Sequence, residues 1–65
     1  MTTLKVKNMS CEHCVKRINE ALVKVNIKHE IDLSNKTVKV EADKIKLLEV
    51  FDILEAIGYE AEVLN

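Results

Sequence analysis

The apolar residues of this 65-residue chain fall into six short segments whose spacing switches between two and three-to-four residues. Residues 2–8 alternate, with Leu4 and Val6 on one side and Lys5 and Lys7 on the other, which predicts a strand. Residues 11–25 place Val15, Ile18, Ala21, Leu22 and Val25 on one helical face. Ser10 is positioned to cap that helix, Glu12 suits the positive end of its dipole, and Asn26 suits a left-handed residue after its end. Residues 27–33 alternate again, with Ile27, Ile31 and Leu33 in phase; His29 shares that phase as a partly buried edge-strand residue. Ser34-Asn35 reads as a hairpin turn into a strand over 36–41, with Val38 and Val40 inward. Asp43 caps a second helix, 44–57, with Leu47, Val50, Phe51, Leu54 and Ile57 inward, and Gly58 stops it. Residues 59–64 alternate once more, with Tyr59, Ala61 and Val63 inward.

The order is βαββαβ, two β-α-β halves in the split arrangement of ferredoxin-like folds. Right-handed crossovers put both helices on one face of a four-stranded antiparallel sheet, an α+β architecture. The other face carries Lys5, Lys7, Lys39, Glu30, Asp32, Glu60 and Glu62, most simply a solvated surface. No proline, a single glycine and no composition break predict one domain over residues 1–65. At 48% apolar content the chain supports one thin core; a domain this small buries only roughly 60% of its unfolded surface.

Composition excludes several functions. A net charge of −1 provides no field for holding nucleic acid, and Phe51 and Tyr59 are too few aromatics for a base-stacking platform. No apolar run exceeds three residues, as at Ala21-Leu22-Val23, so neither a membrane-spanning helix nor an export signal is expected. The expected location is the cytoplasm, with Cys11 and Cys14 as thiols. No acid, base or nucleophile constellation points to an enzyme.

The chemistry concentrates in Met9-Ser10-Cys11-Glu12-His13-Cys14, where the first strand gives way to the first helix. Residues three apart at a helix start can bring their sulfurs to one point. The free amides and partial positive charge of a helix N-terminus favour thiolate over thiol. Four readings compete. The pair could be small buried core residues. A thioredoxin-like redox pair also sits at a strand-to-helix junction, but it needs a longer chain and a facing cis-proline. Structural zinc wants four ligands, usually from two such pairs, and the second pair is missing. Cu(I) favours thiolate sulfur and accepts two ligands, so two cysteines complete its set. Such an under-filled site also lets an incoming thiolate bond before an old one breaks, as in thiol–disulfide exchange.

The run from Asn8 to Cys14 resembles the Met-x-Cys-x-x-Cys signature of heavy-metal-associated domains. Val15, Ile18 and Ala21-Leu22 match that family's first helix, Ile31-Asp32-Leu33 its second strand, and Ile57-Gly58-Tyr59 its final turn. The resemblance spans nearly the whole chain and is nearest to the bacterial copper chaperones. It implies a soft-metal carrier with Cys11 and Cys14 as ligands and Cu(I) as cargo, Zn(II), Cd(II) and Hg(II) being alternatives. Ser10 lacks the carboxylate often found at that position in zinc- and lead-pump domains. Tyr59 matches a tyrosine of the bacterial chaperones, whose hydroxyl would reach a sulfur; as a core aromatic it would sit in phase with Ala61 and Val63. Met9 is expected to pack inward and pin the loop.

Two departures from the family pattern stand out. Asn8 replaces a glycine, and Glu12-His13 is an unusually polar pair that leaves auxiliary binding of Zn(II) or Cu(II) open. Lys16 and Arg17 offer either a docking surface or ordinary helix solubility. The implied partner is a metal-transporting P-type ATPase or its N-terminal metal-binding domain. A metal-bridged dimer, with Cys11 and Cys14 from each copy, is chemically accessible to an otherwise monomeric chain. Regulatory domains of heavy-metal transporters and dithiol redox proteins are the other functions considered.

Overall fold

The computed structural model describes residues 2–64. Its elements run β1 (Thr2–Lys5), α1 (Glu12–Lys24), β2 (His29–Asp32), β3 (Thr37–Val40), α2 (Lys44–Ala56) and β4 (Glu62–Val63). All pairings are antiparallel, in the sheet order β2-β3-β1-β4. The predicted ferredoxin-like architecture is the one observed.

Alternation decides which sheet face is covered. Leu4 lies opposite Val38, and both are fully buried together with Val6 and Val40. Ile18 and Leu22 of α1 and Val50 and Leu54 of α2 close over them. The opposite face is charged as expected, and its register sets unlike charges across from each other: Glu30 faces Lys39, and Lys5 faces Glu62. Lys5 Nζ is turned away to the Asn35 carbonyl at 2.7 Å, and Lys7 reaches Glu62 at 3.8 Å. Both Lys7 and Glu62 are well exposed, so this pair adds little stability.

The two helices end by the same device. After α1, Asn26 turns left-handed (φ 57°); its amide bonds the Val23 carbonyl and the Ile27 amide bonds that of Leu22. After α2, Gly58 does so (φ 91°), with its amide on Glu55 and the Tyr59 amide on Leu54. This double bond with a left-handed residue is the Schellman motif, and its hydrophobic partners, Ile27 with Leu22 and Tyr59 with Leu54, are all buried. The second motif delivers Tyr59 into the core at a fixed angle.

The strands are shorter than the alternation suggested. Residues 6–8 leave β1, although the Val6 amide still reaches the Lys36 carbonyl at 2.8 Å. The β2–β3 connection spans Leu33–Lys36 rather than a two-residue turn, and its left-handed residue is Lys36 (φ 54°). Asp32 accepts from the Asn35 backbone and side chain, which fixes the turn and lowers the Asp32 carboxyl pKa. β4 is reduced to Glu62–Val63, with the Leu64 amide still reaching the Thr3 carbonyl at 2.8 Å, because Tyr59 is committed to the end of α2. Val63 shares a face with Leu4 but lies on the edge strand and stays 47% exposed, against the inward placement expected of it. His29 is half-buried on edge strand β2, its ring nitrogens against the Ile27 carbonyl (2.8 Å) and Asn19 Oδ1 (2.7 Å).

Candidate metal centre

The two cysteines lie at the start of α1, with their sulfurs 3.5 Å apart as free thiols. Cys11 is exposed and Cys14 half-buried against the core. That difference follows from their places in the helix. Cys11 is itself the N-cap, with extended backbone (φ −154°, ψ 169°), and its side chain makes no capping bond. Ser10, expected to be the cap, lies one residue outside it.

Cys14 lies further inside the helix. It sits at the third helical position, where a glutamate of a capping box would reach back to the cap amide. Here the amides of Ser10 and Cys11 favour the thiolate form of Cys14. The largest influence on it comes from the turn after α2: the Tyr59 hydroxyl lowers the Cys14 pKa. The phenol, these amides and the Cys11 thiol together hold the Cys14 thiol down from 9.0 to about 6, against a smaller upward push from desolvation. The same contact raises the Tyr59 pKa, because the thiolate favours the protonated phenol. A thiolate is therefore available near neutral pH, the form that binds metal or attacks a disulfide.

The Tyr59 ring is in the core, 6% exposed, as the core reading expected, and its pKa is raised chiefly by Cys14. The Arg17 guanidinium stands 5.9 Å from the ring centroid, within cation–π range, so Arg17 braces Tyr59 as well as presenting charge beside the cysteines. Lys16 is exposed and lies one residue before it.

Met9 is fully buried in the core cluster, the packing role expected of it rather than that of an exposed thioether. Its amide bonds the Val6 carbonyl at 3.1 Å, closing the loop that leads to the cysteines. Glu12 and His13 are exposed. Among the described residues no three His, Cys, Asp or Glu side chains gather as a metal cluster, so neither joins the thiols in this conformation.

One residue at this site was not singled out as functional from sequence. The Asn8 side chain donates to the Gly58 carbonyl at 2.8 Å and accepts from the Glu60 amide at 3.3 Å, gripping both sides of Tyr59. Its only sequence signal was the replacement of a glycine beside the motif; its partners lie some fifty residues away.

Comparison with known proteins agrees with this geometry. Residues 3–60 match the heavy-metal-associated domain. The chain is 33% identical over 63 residues to the copper chaperone CopZ of Enterococcus hirae, covering 91% of each. It superimposes on oxidized MerP from Ralstonia metallidurans CH34 with a TM-score of 0.85 and 24% identity, covering 98% of this chain and 94% of that one. The N-terminal domain of ZntA in its Zn(II) form gives a TM-score of 0.84 at 20% identity, covering 98% and 90%. No described helix is long and apolar enough to cross a membrane. On the match over residues 3–60 and the CopZ likeness, the chain belongs to the heavy-metal-associated domain family.

Proposed function

We propose that this protein is a soft-metal carrier that holds Cu(I) between the thiolates of Cys11 and Cys14 and hands it to a partner with a matching cysteine pair. The observation that carries this reading is the paired, accessible sulfurs, with no third ligand beside them among the described residues. Two thiolates satisfy Cu(I) and leave Zn(II) short of its usual four ligands. The likeness to CopZ copper chaperones supports copper as the cargo. Likeness to the ZntA domain and MerP extends only to the fold, so Zn(II), Cd(II) and Hg(II) stay behind copper on chemical grounds.

The two sulfurs divide the work. Exposed Cys11 is the one an incoming thiolate reaches first, and Cys14 is tethered by Tyr59 and the cap amides. Cu(I) with two thiolates carries a charge of −1, which the N-terminus of α1 offsets. Lys16 and Arg17 add positive charge beside the opening and form the docking surface for an acidic patch on the partner. The partner of this reading is the metal-binding domain of a P-type ATPase in the cytoplasm, met by a monomeric carrier.

The test is transfer. Copper-loaded protein is mixed with an isolated two-cysteine metal-binding domain and, separately, with a small chelator of equal affinity. Faster transfer to the domain, slowed by salt and by Lys16→Ala with Arg17→Ala, supports docking-assisted handover. Equal rates to both acceptors contradict it.

A further inference from the structure

The Asn8 clamp has no counterpart in the ligand chemistry. One side chain spans two segments that the sheet does not join: the loop before the cysteines and the turn after α2. Its amide nitrogen holds the Gly58 carbonyl and its oxygen holds the Glu60 amide, so the residue between them is fixed on both sides. That residue is Tyr59, whose buried ring stands 5.9 Å from the Arg17 guanidinium beside the site and whose hydroxyl is the strongest influence on Cys14. Neither bond of the clamp is shielded from water, and each is weak alone. Two bonds from one planar amide nevertheless fix both distance and direction.

We infer that Asn8 is the positioning residue of this centre: by clamping the Gly58–Glu60 turn to the site loop it keeps the Tyr59 hydroxyl on Cys14 and so sets how firmly Cys14 retains a bound ion. The inference rests on the proposed Cu(I) site for its second half only. Without the clamp, Tyr59 keeps its ring in the core through the Schellman motif, but its hydroxyl no longer has a fixed bearing on the sulfur. Cys14 then becomes the looser of the two ligands, and the ion leaves more readily.

The first test needs no metal. Tyr59 is the single tyrosine and the chain has no tryptophan, so tyrosine emission reports the surroundings of Tyr59 alone. A phenol donating to a thiolate is quenched. In the reduced, metal-free protein at pH 8, Asn8→Gly should raise the emission toward the level of Cys14→Ala, and should add nothing in a Cys14→Ala background. Unchanged emission, or a rise that persists without Cys14, overturns the inference.

The second test loads Cu(I) and follows its release to a competing Cu(I) chelator. Asn8→Gly should speed release about three- to tenfold, the size of one lost hydrogen bond. Tyr59→Phe should match it, and the double variant should be no faster than either. Independent, multiplying effects would show that Asn8 does not act through Tyr59. Asn8→Asp guards against misfolding: it keeps the acceptor for Glu60 and loses the donor to Gly58, so its effect should be intermediate, with circular dichroism unchanged. If the unsubstituted protein binds no Cu(I), the carrier reading fails, while the emission test still decides the role of Asn8.

Discussion

The Tyr59 hydroxyl, in the turn after α2, is the strongest influence lowering the pKa of Cys14, in the first turn of α1. Tyr59→Phe removes that hydroxyl and leaves the amides of Ser10 and Cys11 in place. The midpoint of the pH profile for Cys14 alkylation should move up, toward the ordinary 9.0. Iodoacetamide kinetics in a Cys11→Ser background read Cys14 alone. An unmoved midpoint would mean that the backbone amides set the acidity without the phenol.

The same contact makes folding depend on pH. The Cys14 pKa is lowered in the folded state, from 9.0 to about 6, so between those values the unfolded chain binds more protons. The stability this group contributes is therefore present in full above pH 9 and is lost as pH falls toward 6. Under reducing conditions the urea midpoint of the metal-free protein should rise from pH 6 to pH 9, and Cys14→Ser should flatten that rise.

Met9 separates packing from ligation. It is fully buried, so Met9→Ala should cost about 2–5 kcal/mol in urea unfolding through the cavity it leaves. Met9→Leu conserves volume and should cost less than about 1.5 kcal/mol while leaving copper affinity unchanged. A large loss of Cu(I) affinity in a folded Met9→Leu protein would assign the thioether to the metal.

Gly58 is required for its backbone and not for space. A Cβ at this position would meet no atom within 4 Å, but φ is 91°. Gly58→Ala should therefore destabilise by about 1–2 kcal/mol through strain alone. A neutral result in thermal unfolding would show that the turn relaxes without cost.

The element order was legible because each apolar period has one structural solution, and Asn26 and Gly58 announced both helix ends correctly. Strand ends were not legible, since alternation continues where pairing stops. Tyr59 keeps the phase of a strand while its amide belongs to α2, and residues 6–8 keep it while the chain turns toward the cysteines. The thiol pair could be read from spacing, but the cap could not: serine is the common cap residue, yet here Cys11 takes that position without a side-chain capping bond. The Asn8 clamp joins positions about fifty residues apart, a relationship that no local period encodes.

The central claim is that Cys11 and Cys14 form a two-thiolate site suited to Cu(I). An anaerobic titration of the reduced protein against a competing Cu(I) chelator, with Zn(II) in parallel and Cys11→Ser as control, tests it most directly. The account predicts tight one-to-one Cu(I) binding that the control loses, with zinc held far more weakly than by a four-ligand site. Zinc bound as firmly as in such a site, or no tight Cu(I) binding at all, would contradict it.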